Sequence, residues 1–369
     1  MAPTKRPRVR IDLEAKLRPL GHLVTAAVLD RTGDRIALAS HLPGRASPKT
    51  AKTSRQIHVW VARVRDGALL HELVMPVVFA ETELPDFEQW PDDATDIALD
   101  FSPDGSLLAV AWDLETLQNS ECSAVALFDL KSGARVMESL IPAPGDLCFS
   151  SDSRLLVVTV KSQSDGPTLW FNRDRSWEVE RKGAATSGAR AAFSADGQRL
   201  IVVDDTSFSR TIGVTFVRSG SRAIAGRSRP LARLSWEGPL AVAPDGRSAL
   251  GACTVWLRGR QKRHARSGVW RWRPDAAPER LGPSAGMEAL WIDPEGRSVL
   301  WSDGRGLVRQ RIGHRRLAPI GLAPGSDGLR TWGNEIRITC DGQRIARLGG
   351  RLNGQVVFSR LRRRPAGAR

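Results

Sequence analysis

Short apolar runs alternate with polar turns along this chain, and one turn pattern keeps returning. An apolar residue leads into a polar stretch that mostly closes on Asp-Gly or Glu-Gly, and a second apolar run follows. It reads Leu29-Asp-Arg-Thr-Gly33-Asp-Arg-Ile36, Phe101-Ser-Pro-Asp-Gly105-Ser-Leu-Leu108, Phe149-Ser-Ser-Asp-Ser153-Arg-Leu-Leu156 and Phe193-Ser-Ala-Asp-Gly197-Gln-Arg-Leu200. Three further copies are Val242-Ala-Pro-Asp-Gly246-Arg-Ser-Ala249, Ile292-Asp-Pro-Glu-Gly296-Arg-Ser-Val299 and Ile338-Thr-Cys-Asp-Gly342-Gln-Arg-Ile345. The turn positions are separated by 72, 48, 44, 49, 50 and 46 residues, so only the first interval is long. The residue four before each turn position and the residue three after it are apolar in every copy, as two strands facing one core require.

The turn chemistry predicts hairpins. Pro fixes φ, Asp bonds its own backbone, and Gly accepts the left-handed conformation that closes a tight turn. Ser153 departs from this pattern, so it either tolerates the left-handed well or changes the turn. A third β-rich run follows in each unit, often with an aromatic: Ile57-His-Val-Trp60, Val125-Ala-Leu-Phe128, Thr168-Leu-Trp170-Phe and Gly268-Val-Trp270-Arg-Trp272. A fourth is legible after Gly67 and Gly133. Four short antiparallel strands in each unit of about 45 residues predict an all-β fold, a β-propeller of seven four-stranded blades occupying 1–369 as one domain. The last repeat supplies three strands, ending with Gln355–Leu361 after Asn353-Gly354. Val9, Ile11 and Leu13 alternate with Arg10, Asp12 and Glu14, which predicts that residues 8–14 add the fourth strand and close the last blade.

In these turns the chain resembles WD40-type propellers. Gly21-His22 is similar to that family's Gly-His element and Phe128-Asp129 to its Trp-Asp position, whereas Trp60 is followed by Val61 and most blades lack both dipeptides. The Ser-Pro-Asp-Gly turn is equally similar to PD40/TolB-type propellers. The resemblance implies that the repeated turns project on one face. The connections after second strands and between blades would project on the other, binding, face.

Composition narrows the class. A 41% hydrophobic fraction with 12 Trp excludes a disordered chain, and no apolar run is long enough for a membrane helix. The N-terminus has charge without an apolar core, so no signal peptide is expected; with four scattered Cys and no C-x-x-C, the expectation is a cytoplasmic protein with reduced thiols. Net charge is +15, unevenly placed: residues 51–150 carry a net −11 and residues 151–369 a net +20. Only eight of the 55 basic residues are Lys, a bias that matches GC-rich bacterial coding.

Two loops concentrate the charge. Residues 80–98 hold seven acids and no base, among them Asp92, Asp93 and Asp96; the segment suits a solvated loop, a basic partner, or hard-cation coordination at a spacing matching no known ligand loop. Residues 257–267 hold Arg258, Arg260, Lys262, Arg263 and Arg266, a local field suited to phosphate or carboxylate groups if it is more than a solvated loop. A polar insertion spans 41–55, and 1–7 and 362–369 read as basic flexible tails. The tryptophans suit packing between blades better than a ligand cage.

For catalysis there is one string, Gly282-Pro-Ser284-Ala-Gly286, a G-x-S-x-G match without the helix such an elbow needs. The six His show no paired ligand spacing, and no phosphate-binding Gly loop is present. The expectation is a non-catalytic, WD40-like intracellular scaffold for protein partners, with no cofactor, no metal and no membrane. Its site residues would be Arg258, Arg260, Lys262, Arg263, Arg266, Asp92, Asp93 and Asp96. The alternative is a hydrolase- or lactonase-like propeller enzyme with a site in the central channel. Binding of nucleic acid or an anionic ligand ranks third, because the acidic sector would repel phosphates.

Overall fold

The computed structural model describes residues 10–12, 23–41, 56–76, 97–113, 122–142, 144–160, 168–180, 190–206, 211–232, 234–255, 268–283, 290–293, 297–302, 307–312, 317–320, 336–338, 344–348 and 355–360. Within them the elements are strands, apart from one 3-10 turn at Arg173–Arg175. The chain divides into two compact units, one built from residues 1–76, 88–94 and 322–369, the other from 77–87 and 95–321.

The first unit holds two sheets. In one, β2 (Leu23–Leu29), β3 (Arg35–His41), β4 (Gln56–Arg63) and β5 (Leu69–Pro76) pair in sequence order. The other joins the chain ends. β1 (Arg10–Asp12) lies antiparallel to β29 (Gln355–Arg360), followed by β28 (Arg344–Leu348) and β27 (Ile336–Ile338). The register Arg10↔Val357, Ile11↔Val356, Asp12↔Gln355 places the predicted closing strand on the edge of the last sheet.

The second unit repeats one sheet. β6 (Ile97–Phe101), β7 (Leu107–Asp113), β8 (Cys122–Asp129) and β9 (Arg135–Pro142) form its first copy, and β10 (Pro144–Phe149), β11 (Leu155–Val160), β12 (Leu169–Asn172) and β13 (Glu178–Glu180) its second. The third has β14 (Arg190–Phe193), β15 (Arg199–Thr206), β16 (Thr211–Arg218) and β17 (Ile224–Arg227), with β18 (Leu231–Ala232) as an extra pairing on β16. Then come β19 (Leu234–Val242), β20 (Ala249–Val255), β21 (Gly268–Trp272) and β22 (Glu279–Pro283), and finally β23 (Leu290–Ile292), β24 (Ser298–Ser302), β25 (Leu307–Arg311) and β26 (Leu317–Ile320). The first strands β6, β10, β14, β19 and β23 each abut the next, so the five sheets fan out from their innermost strands.

The fan explains why the second strands read as unbroken apolar runs. In Leu155-Leu156-Val157-Val158, Leu156 and Val158 pack with Leu107, Val125 and Phe149 between the β6–β9 and β10–β13 sheets. Val157 points the other way and packs with Cys148, Trp170, Leu200 and Val202 against the β14–β17 sheet. With both faces covered, a period-2 strand needs apolar residues at every position. Trp60, Trp112, Trp170, Trp272 and Trp301 are all buried, in keeping with packing rather than a ligand cage. Truncating a buried indole costs ~3–5 kcal/mol.

Candidate functional site

Antiparallel order puts the first and third connections of every sheet at one end, here the turn end. The hairpins there share one construction. Gly105 N–H donates to the Ser102 carbonyl and Ser102 N–H to the Leu107 carbonyl; Ser153 and Ser150, Gly197 and Ser194, and Gly246 and Ala243 repeat it. The closing residue is left-handed each time, with φ 70° at Gly105, 70° at Gly197, 62° at Gly246 and 61° at Ser153. Ser153 therefore tolerates the left-handed well, and the turn is unchanged. The hydroxyls of Ser102, Ser150 and Ser194 donate to Asp104, Asp152 and Asp196 at 2.6, 2.5 and 2.5 Å. Partial burial alone would raise these carboxyls. For Asp104 the hydrogen bonds from Ser102 and Ser106 and from Arg173 outweigh it and hold the pKa down to about 2.

The turns also touch along the fan. Asp104 N–H donates to Ser153 Oγ at 3.0 Å, and Arg173 Nη1 reaches Asp104 Oδ2 at 3.2 Å. A Cβ on Gly197 would meet Ser151 Oγ, so the next pair of turns is in close contact as well.

Between the innermost strands sits a polar cluster. Asp100 on β6 accepts from Phe149 N–H on β10 at 2.9 Å, and Asp146 on β10 accepts from Ala191 N–H on β14 at 3.3 Å. Arg190 Nη1 lies 3.8 Å from Asp146 Oδ1. Cys148, two residues from Asp146 on the same face of β10, is buried. Loss of water pushes Asp100 up to about 7, helped by the charge on Asp146 and opposed by the Phe149 N–H. Burial, then the Asp146 and Asp100 charges, push the Cys148 thiol well up. Each aspartate fastens its own strand to the next sheet. Among the described residues no set of three His, Cys, Asp or Glu side chains could hold a metal ion.

A third feature stands at the turn end, where the β10–β13 and β14–β17 sheets meet. In the hairpin after β16, Arg222 N–H donates to the Arg218 carbonyl, as Gly67 N–H does to Arg63 and Gly133 N–H to Asp129 in their hairpins. Gly67 and Gly133 have φ 73° and 75°, and Arg222 is left-handed at 55° in their place. Its guanidinium lies 5.3 Å from the Trp170 ring centre on the neighbouring sheet. Desolvation, and then the nearby positive charge of Arg175, lower its pKa.

The residues singled out in the sequence are not among these. Arg258, Arg260, Lys262, Arg263, Arg266, Asp92, Asp93 and Asp96 lie outside the described residues, as do 42–55, 80–96, both tails and Ser284. What is described are the strand ends that flank them. Val255 and Gly268 close 256–267 at the end of their sheet opposite the repeated turn, and Gly282 belongs to strand β22. The sequence reading missed Asp100, Asp146 and Arg222. Asp100 was detectable as a charge inside the apolar run Ala98-Leu-Asp-Phe, and Arg222 as an arginine where sister hairpins carry glycine.

Repeated four-stranded antiparallel sheets fanning from their first strands define a β-propeller fold. Solved structures agree. The Kuenenia stuttgartiensis hydrazine synthase structure matches with TM-score 0.60 at 13% identity, covering 90% of this chain and 94% of that one. The structure of the Dos1 propeller matches with TM-score 0.55 at 13% identity, covering 92% and 93%. At these identities the likeness is one of fold. No family model matches the chain, and no curated protein does.

Proposed function

We propose that the protein is a WD40-like, seven-bladed propeller that acts inside the cell as a non-catalytic scaffold, binding protein partners through charged connections. One observation carries this reading: two segments between strands each concentrate charge of a single sign. Five cations fall within residues 258–266, and seven acids without a base fall within 80–98. The strands that bracket the basic segment end opposite the repeated turns, as binding connections do in the family the chain resembles. Fold likeness supports the propeller and names neither role nor partner. The test is co-purification with the full-length chain and with a variant reversing Arg258, Arg260, Lys262, Arg263 and Arg266 to Glu. Partners held by the natural chain should be lost from the variant; an unchanged set of partners overturns the reading.

A second reading, a propeller enzyme with a site at the innermost strands, draws on the convergence of Asp100, Asp146, Cys148 and Arg190. Its test is a hydrolase and lactonase substrate screen with Asp146→Asn as the control. A turnover that Asp146→Asn abolishes would favour it over the scaffold.

A further inference from the structure

We infer that the outer edge of β9 is a docking site for an extended segment of a partner protein, which adds to the β6–β9 sheet as a further strand. This surface is separate from the charged connections of the scaffold reading and does not rest on them.

β9 ends its sheet, and among the described residues no strand pairs with its far side. The bonds around β8 fix which main-chain groups of β9 face outward. Asp129 N–H donates to the Ala134 carbonyl on the β9 side, and Leu130 N–H to the Ser106 carbonyl on the β7 side. Odd positions of β8 therefore bond β9, and even positions bond β7. In the register Leu127↔Met137, Val125↔Ser139 and Ser123↔Ile141, the β9 partners direct their groups to β8. Glu138 and Leu140 turn theirs outward, where the Leu140 carbonyl takes a 3.4 Å contact from Ser139 Oγ. Such a row of donors and acceptors is what an added strand pairs with.

Outer edges are ordinarily protected. In the second unit brevity does this for the others: β13, β17, β22 and β26 have three, four, five and four residues. β9 has eight, with no Lys and no Pro before Pro142. Its side chains agree. Ile141 is buried and Met137 packs against the core shared with the β10–β13 sheet. Val136 and Leu140 are instead 47% and 60% exposed, Leu140 being the most exposed large apolar residue among those described. β5 in the first unit is as long and exposes Leu69 and Val74, but His71 and Glu72 at its centre are held in other contacts.

Charge and area select the occupant. Arg135 Nη1 lies 2.6 Å from Glu138 Oε2, so the two charges on this edge offset each other and favour neither an acidic nor a basic chain. Eight strand residues span ~27 Å. A second copy laid edge to edge would gain a strip one strand wide, short of the ~800 Å² each partner of a stable dimer buries. An extended segment gains the ladder to Glu138 and Leu140 and also covers Val136 and Leu140 with apolar residues at alternate positions. The occupant is therefore a neutral segment of alternating apolar pattern.

Fluorescence anisotropy on the full-length protein tests this, with a labelled peptide of alternating Val and Thr as probe and a copy carrying Pro at every other position as control. The first peptide should bind with little dependence on salt, and the control should not. Leu140→Pro removes an outward N–H without touching the ladder to β8, and should weaken binding about tenfold. Leu140→Thr keeps that N–H, loses the apolar contact and should weaken binding several-fold, even if the Pro variant folds poorly. Arg260→Gln with Arg263→Gln should leave the affinity unchanged, which separates this edge from the basic connection. Unaltered affinity in normally melting Leu140 variants overturns the inference, as does equal binding of the control or no binding at ~1 mM peptide. Binding lost in Val74→Thr but kept in the Leu140 variants overturns it too. So does a dimer in sedimentation that Leu140→Pro abolishes, since the edge would then belong to a second copy.

Discussion

Ser153 Oγ accepts the backbone N–H of Asp104 at 3.0 Å, tying one hairpin to the next. Ser153 replaces the glycine of its sister turns and keeps their left-handed backbone, at φ 61°. The side chain thus offsets the conformational penalty by capping a donor on the neighbouring sheet. Ser153→Ala keeps the strained backbone and loses the acceptor, and should cost ~1–3 kcal/mol. Ser153→Gly loses the same bond but relieves the strain, and should lie within ~1 kcal/mol of the natural protein. Urea denaturation of both variants decides it; equal losses would show that the left-handed backbone carries no strain, and a Ser153→Ala variant as stable as the natural chain would show that the bond contributes nothing.

Asp100 should make stability depend on pH in the unusual direction. Its folded pKa of about 7 lies above the ordinary aspartate value of 3.8. The folded state therefore binds its proton more tightly, and this stabilisation is complete below the unfolded value and lost as pH rises through 7. Asp100→Asn retains an oxygen to accept Phe149 N–H and cannot ionise. It should be more stable than the natural chain at neutral pH, and the gap should close by pH ~4. Melting temperatures measured across that range test the sign; a gap that widens as pH falls would refute it.

Asp104 should act in the opposite sense. Its pKa is lowered to about 2 by the hydrogen bonds of Ser102 and Ser106 and by Arg173, against the desolvation that would raise it. Its contribution is present above the unfolded carboxylate range and disappears as pH falls through about 2. Asp104→Asn should therefore lower the melting temperature at neutral pH and lose that difference in strong acid. The double variant with Arg173→Gln should reveal coupling between the two residues by a thermodynamic cycle.

How far the sequence reveals this molecule differs from one feature to another. The hairpins were legible because Phe101-Ser-Pro-Asp-Gly105 and its relatives carry turn chemistry that depends on neighbours only a few residues away. Strand β1 was legible from the alternation of Arg10, Ile11 and Asp12, and its place beside β29 from a last repeat that supplies only three strands of its own. Contacts between sheets were not. That Asp100 fastens β6 to β10, or that Arg222 lies over Trp170, depends on residues 49 and 52 positions apart meeting across a seam. Hydrophobic periodicity predicts that a face is covered without saying which polar side chains meet there.

Gly251 illustrates the same limit and yields a prediction. Within β20 a glycine should weaken the strand, yet a Cβ there would fall 2.0 Å from ring carbons of Trp236, whose indole lies 5.1 Å from that of Trp272. The glycine makes room for the indole where β19 bulges away from β20 between Trp236 and Leu240. Gly251→Ala should therefore cost ~1–3 kcal/mol through overpacking. With the indole gone, Gly251→Ala should cost less in a Trp236→Leu background than in the natural chain. A stabilised Gly251→Ala would mean that the indole is free to move aside.

The pairing of β1 with β29 has a consequence for the whole first unit. Arg10–Asp12 covers the edge of a sheet whose other three strands come from the far end of the chain. An unpaired edge leaves donors and acceptors open to other chains. Deleting residues 1–14 should therefore lower the melting temperature and promote aggregation on heating. Replacing Ile11 with Pro, which removes a backbone donor within the strand, should do the same to a smaller degree. Scanning calorimetry with light scattering measures both effects. A truncated chain that melts unchanged and stays monodisperse would show that β1 seals nothing.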